Sequence, residues 1–168
     1  LRDLGNRPEA EKQYREAAQV QEKLVADFRD VPRYRVELGG SYCNLGILLA
    51  EGPKPADSLP WFGKAVEALR QVHEADPRVA QARAFLRNSY RNRAVALERL
   101  RRFRDALADW DLAVELSPKD QGWALRADRA TCRLNAGFPS AAVPEVAELT
   151  GREPRPGDRW YNFASVYS

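Results

Sequence analysis

Arg102-Phe103-Arg104-Asp105-Ala106-Leu107-Ala108-Asp109-Trp110-Asp111-Leu112-Ala113 decides the fold, because the chain has written it twice before. Lys54-Pro55-Ala56-Asp57-Ser58-Leu59-Pro60-Trp61-Phe62-Gly63-Lys64-Ala65 lies 48 residues upstream, and Asn6-Arg7-Pro8-Glu9-Ala10-Glu11-Lys12-Gln13-Tyr14-Arg15-Glu16-Ala17 a further 48. The small residues Ala10, Ser58 and Ala106 keep that step, as do the aromatics Tyr14, Phe62 and Trp110 and the alanines Ala17, Ala65 and Ala113. A shorter fourth copy opens at Gly137-Phe138 and places Ala142 36 residues after Ala106. A small residue, an aromatic four positions on and an alanine three beyond that share one helix face. Three marker sets with one common step identify an internal repeat.

The segments before these copies repeat as well. Tyr42-x-x-Leu45-Gly46-x-x-Leu49 is echoed by Tyr90-x-x-Arg93-Ala94-x-x-Leu97, by Arg126-x-x-Arg129-Ala130-x-x-Arg133 and by Trp160-x-x-Phe163-Ala164-x-x-Tyr167. Gly46, Ala94, Ala130 and Ala164 are spaced by 48, 36 and 34 residues. Leu86, Tyr90, Ala94, Leu97 and Leu100 form one apolar stripe at helical spacing. Breaks fall at Glu51-Gly52-Pro53, Asp76-Pro77, Ser117-Pro118-Lys119-Asp120 and Ala136-Gly137-Phe138-Pro139. Helices are predicted over 7–28, 33–50, 55–75, 78–101, 103–116, 121–136, 139–150 and 157–168. Pro60 is awkward inside the third of these unless it lies in the first turn, and regular structure is expected to break between Gly151 and Gly157. No segment alternates long enough to be a strand. The fold class is therefore all-α: a right-handed superhelical solenoid of about eight antiparallel helices, read as a single repeat domain over 1–168 with units near 1–31, 32–77, 78–119, 120–156 and a partial 157–168.

An aromatic-x-x-Leu-Gly-x-x-Leu first helix followed by a small-x-x-x-aromatic-x-x-Ala second helix resembles the tetratricopeptide repeat (TPR). Leu45, Gly46, Ser58, Phe62 and Ala65 carry the match in one unit; Ala94, Ala106, Trp110, Ala113 and Pro118 carry it in the next. The 48-residue step exceeds the family's usual length, so some helices should be longer. More narrowly, Leu24-Val25-Ala26-Asp27-Phe28-Arg29-Asp30-Val31-Pro32, Phe85-Leu86-Arg87-Asn88 and Asp109-Trp110-Asp111 resemble the helical C-terminal regions of large bacterial serine/threonine kinases. No His-Arg-Asp, Asp-Phe-Gly or glycine-rich phosphate motif is present, so that resemblance implies a non-catalytic arm.

The family resemblance implies a groove lined by the first helices, which holds a peptide or protein partner. By position, Cys43, Ile47 and Ala50, then Asn88, Arg91, Asn92, Val95 and Glu98, then Ala127, Thr131 and Leu134 face it, with Arg87 beside them. Partner-binding residues are accordingly expected at Arg87, Asn88, Arg91, Asn92, Val95, Glu98, Ala127 and Thr131. The carboxylate clamp of the family's chaperone-tail binders is not restored, because Cys43 and Ile47 occupy its key places.

Composition narrows the function classes. The 168 residues are 44% hydrophobic and 30% charged, an ordinary globular mixture. No apolar run reaches the roughly 20 residues of a membrane span, and the first residues lack the pattern of a secretory signal. Methionine is absent even from position 1, so a segment of a longer chain is expected. Two cysteines, Cys43 and Cys132, point to a reducing, cytoplasmic setting and read as small buried residues. The single histidine, His73, reads as solvated and leaves no basis for a histidine-centred triad or zinc site. Neither catalysis nor any metal or cofactor is expected.

Charge is uneven. Residues 78–104 hold nine arginines against Glu98, whereas the whole chain nets only +3. Arg83, Arg87 and Arg91 recur every fourth residue. They read either as a clamp for an acidic peptide, phosphate or nucleic acid or as a solvated face paired within the molecule, with Asp105, Asp109 and Asp111 as the nearby acids. The aromatics stand at core spacing rather than interleaved with the arginines, which speaks against nucleic acid. Arg93 and Arg129 occupy places where the repeat pattern has leucine, so each needs a partner, with Asp109, Asp111 and Asp128 as candidates. On these grounds Arg93→Leu is expected to be tolerated and Arg93→Ala to destabilise. A second functional reading is self-assembly, a homo-oligomer or an intramolecular regulatory contact through uncapped ends.

Overall fold

A computed structural model describes residues 7–118 and 122–151. Seven helices follow one another: α1 (Arg7–Asp27), α2 (Pro32–Ala50), α3 (Leu59–Ala75), α4 (Ala80–Arg99), α5 (Phe103–Glu115), α6 (Trp123–Asn135) and α7 (Pro139–Thr150). Each packs on the next, and α2 also packs directly on α4. Short connections between long helices impose antiparallel neighbours, so the chain is an all-helical solenoid of helix pairs. No strand occurs among the described residues. The expected helix over 157–168 and the first residue of the helix expected over 121–136 lie outside them.

The starts and stops have visible causes. Pro32 and Pro139 open α2 and α7, and Pro60 falls in the first turn of α3, where its missing amide donor has no carbonyl to lose. The expected helix over 55–75 is thereby corrected: Pro55–Ser58 forms a 3-10 turn, and the α-helix begins at Leu59. The helix predicted over 78–101 is trimmed at both ends, to Ala80–Arg99. Two helices end in the same hydrogen-bonded cap. The Arg102 amide reaches the Leu97 carbonyl at 2.9 Å and the Phe138 amide reaches the Arg133 carbonyl at 2.8 Å. Each cap needs one left-handed residue. Gly137 supplies it after α6 at φ 84°, and Arg101 supplies it after α4 at φ 61°.

The repeat markers form the core. Ser58, Phe62 and Ala65 of the α3 unit are fully buried, as are Ala106, Trp110 and Ala113 of α5, and Ala142, Val146 and Leu149 occupy the same places in α7. Gly46 allows a close crossing: a Cβ there would stand 2.7 Å from the Phe62 ring, and one at Gly39 would stand closer still to Leu69. Gly39-Gly40 lies inside α2, where Gly39 meets the Leu69 side chain. The first copy departs from the others. Ala17 is exposed and Ala18 takes the buried place instead. Helix α1 packs chiefly on α2 and meets α3 through polar contacts, Lys64 with Glu22 and Arg15 over the Trp61 ring, so much of its surface stays uncovered.

The core divides into two clusters. One joins α1 through α4 and Ala113 of α5 around Tyr42, Phe62, Leu69 and Leu86; the other joins α4, α5 and α6 around Leu97, Trp110 and Cys132. Leu59 and Leu125 touch both. The carbonyls that end α2 are closed from outside: Arg7 donates to Leu48 O at 2.6 Å and Glu51 O at 3.1 Å, and Arg99 donates to Ala50 O at 2.8 Å. Cations at a helix C-terminus complement its dipole. No helix among the described residues is long and apolar enough to cross a membrane.

Candidate docking face on α4

Helix α4 has 20 residues, while α5 and α6 have 13 each. At 1.5 Å per residue, α4 is longer than either by about 10 Å. Its buried row, Ala82, Leu86, Tyr90, Ala94 and Leu97, fixes the helix against the two cores. A second row faces α2: the Phe85 ring lies over Gly40, and the Asn92 amide approaches the Cys43 sulfur at 3.9 Å. Asn88 falls between these two and is half-buried. The next row carries Arg87 and Arg91, both half-buried, with exposed Arg83 one turn earlier. One turn beyond Arg91, Val95 packs in the cluster that contains Leu125 and Cys132 of α6, so the row is covered from that point on.

The expected contact residues therefore separate. Arg87, Asn88 and Arg91 come together on the accessible half of α4, and Asn92 stands next to them with its amide turned to Cys43. Glu98 accepts the Trp110 indole N–H at 2.6 Å and is occupied inside the molecule. Val95 is a packing residue. Ala127 is corrected to an interior position: it is 5% exposed and has almost no area to offer. Ala50 is likewise buried. Thr131 is exposed but its hydroxyl donates to the Ala127 carbonyl at 3.1 Å.

The odd arginines find the acids their positions demand. Arg93 makes a two-pronged pair with Asp109, Nε to Oδ2 at 2.7 Å and Nη2 to Oδ1 at 2.6 Å. The Asp109 hydrogen bonds raise the Arg93 pKa above its ordinary value, against the opposing effect of burial. Arg126, Arg129 and Arg133 of α6 converge on one buried carboxylate, Glu145 of α7. Asp111 also accepts from Arg129 at 2.9 Å and from Arg133 at 3.3 Å, and Glu148 accepts from Arg126 at 2.5 Å. Sequence reasoning supplied Asp109 and Asp111 and missed Glu145, which lies on the following helix with no local pattern to mark it.

Other groups are structural. Cys43 and Cys132 are buried free thiols, each with a pKa raised chiefly by burial. His73 is corrected from solvated to half-buried, with its Nδ1 enclosed and without a hydrogen-bond partner among the described residues. Lys64 stands 4.8 Å from the Trp61 ring centre and 5.2 Å from that of Tyr42, whose hydroxyl donates a short hydrogen bond to Glu22. That cluster joins α1, α2 and α3. A shallow cleft of about 340 Å³ lies between the α4–α5 turn and the end of α6, bordered by Arg101, Arg102, Phe103, Arg104 and Asn135. No group of three or more histidine, cysteine or acidic side chains among the described residues is placed to hold a metal ion.

A paired-helix array whose small and aromatic markers fill the core invites one comparison. Residues 1–30 match the tetratricopeptide repeat family model. The match ends just before α2, so it covers the first marker copy and none of the arginine-bearing face. No curated protein matches the chain. A tetratricopeptide repeat points to protein partners, and folds of this kind are generally non-catalytic.

Proposed function

We propose that this protein is a non-catalytic interaction scaffold that holds a peptide or protein partner along the face shared by α2, α4 and α6. The observation that supports the reading is the direct packing of α2 on α4, which sets Phe85 on Gly40 and Asn92 beside Cys43. In this reading the first helices line the concave side of the solenoid, as repeat arrays commonly do. Arg87, Asn88 and Arg91 make the contacts, and Asn92 holds the floor in place through Cys43. Recognition then rests on shape and charge, with no bond made or broken. The wording shared with bacterial kinase C-terminal regions supports placing the scaffold as an arm of a larger signalling protein in the cytoplasm.

A photo-cross-linking amino acid tests the reading. Placed at Asn88, it should trap a discrete partner in cells; placed at Gln71, exposed on α3, it should not. Equal trapping at both positions, or trapping at Gln71 alone, would contradict the assignment of the face.

A second reading has its own observation. Val20 on α1 is 59% exposed and Phe28 just after it is 51% exposed, two large apolar side chains at one end of the described array. Self-assembly through α1 predicts that molecular mass rises with concentration, and that Phe28→Ser abolishes the rise.

A further inference from the structure

We infer that the Arg83–Arg87–Arg91 row of α4 is a docking line for an acidic segment of a protein partner. The inference rests on α4 being the docking face, and it names the chemistry of what docks there. The first argument is internal contrast. Arg15, Arg33, Arg70, Arg78, Arg93, Arg102, Arg126, Arg129 and Arg133 each meet a carboxylate of this chain. Among the described residues, no carboxylate comes within 4.0 Å of Arg83, Arg87 or Arg91; the same holds for Arg29, Arg35, Arg99, Arg101 and Arg104, but only the α4 three stand in a row at four-residue steps. The acids on either side in sequence are already taken: Glu74 by Arg70, Asp76 by Arg78, Glu98 by the Trp110 indole, Asp105 by Arg102, Asp109 by Arg93, and Asp111 by Arg129 and Arg133. Like charges four apart destabilise a helix, and nothing within the described residues offsets that here.

Geometry and charge then select the occupant. Successive arginines rise about 6 Å along the helix. Carboxylates every fourth residue on a partner helix, or every second residue on an extended strand, repeat at about 6–7 Å. A guanidinium offers each of them a two-pronged hydrogen bond. Residues 152–168 carry three arginines and two acids, so that part of the chain does not complement the row. Nucleic acid is the poorer fit, because binding single strands uses exposed aromatic rings between the charges. The two rings on α4 are unavailable for stacking: Tyr90 is buried and Phe85 lies against Gly40.

The test is fluorescence anisotropy with a labelled peptide of about 16 residues carrying glutamate at every fourth position, long enough to span the row. A glutamine version of the peptide and an oligo(dU) of similar length serve as comparisons. The glutamate peptide should bind and the glutamine peptide should not. Each of Arg83→Ala, Arg87→Ala and Arg91→Ala should weaken binding by about fivefold, and the triple variant by roughly 100-fold. Circular dichroism should show the triple variant still helical. Arg101→Ala with Arg104→Ala, in the separate basic cleft, should change affinity by less than about twofold. Wild-type affinity in the triple variant, no binding of the glutamate peptide, or an equal loss in the cleft variant would overturn the proposal. So would tighter, arginine-dependent binding of oligo(dU), which would assign the row to a phosphate chain. Asn88→Trp separates this inference from the reading beneath it. If it leaves peptide affinity intact while the triple variant abolishes binding, the acidic row stands and the face centred on Asn88 does not.

Discussion

Arg93 shows how one residue can satisfy a repeat pattern while departing from it. It replaces the leucine expected one position before the small packing residue, and it stays there because Asp109 lies opposite. The Asp109 side chain is 4% exposed and that of Arg93 27%. The tolerance for leucine expected from the pattern is thereby corrected: Arg93→Leu supplies apolar volume but leaves a buried carboxylate without its cation. Chemical denaturation should show Arg93→Leu and Arg93→Ala both less stable by about 2–4 kcal/mol. The double variant Arg93→Leu with Asp109→Leu should return to within about 1–2 kcal/mol of wild type, since a buried pair exchanged for apolar residues is often near neutral. Arg101 is the opposite case, a residue held where its side chain is a disadvantage. It fills the left-handed cap position that Gly137 fills 36 residues later. Arg101→Gly should therefore stabilise the protein by about 1 kcal/mol in the same assay.

At the scale of elements, α6 and α7 are held by an ionic seam as well as by an apolar one. Three arginines on one face of α6 would repel each other without Glu145, which all three contact. Glu145→Ala leaves Arg129 and Arg133 with Asp111 and Arg126 with Glu148, all at the exposed rim. Hydrogen exchange should become faster across residues 123–151 by the equivalent of about 2–4 kcal/mol, with α1 to α3 unchanged. Uniform acceleration along the chain would show that the seam is not local. This seam also marks the limit of what the sequence makes legible. The helices and their core positions follow from the common step of Ser58, Ala106 and Ala142, because a repeated face must be buried in the same way each time. Asp109 could be suspected because it lies within a marked copy. Glu145 could not, because its role depends on how α7 is turned against α6. Repeat position puts Arg87, Asn88 and Arg91 on one accessible side of α4, where the structure has them. It failed at Ala127 and Glu98, since position in a repeat does not reveal that α6 is shorter than α4 or that Trp110 needs an acceptor.

For the molecule as a whole, two core clusters share α4, Leu59 and Leu125, so opening one should propagate to the other. Cys43 sits in the first cluster and Cys132 in the second. Both thiols should resist a disulfide reagent at neutral pH and become reactive together as denaturant unfolds the chain. Release of one well before the other would instead show the stepwise melting of a loosely coupled array. The same α4 that joins the clusters presents the arginine row, so the proposed docking surface is carried by a helix packed on α2, α3 and α5. Nuclear magnetic resonance of the arginine side chains tests that claim most directly. During titration with the glutamate peptide, the Nε–H signals of Arg83, Arg87 and Arg91 should shift together and saturate at one peptide concentration, while those of Arg93 and Arg129 stay in place. Shifts confined to Arg101 and Arg104, or spread evenly over all exposed arginines, would contradict the account.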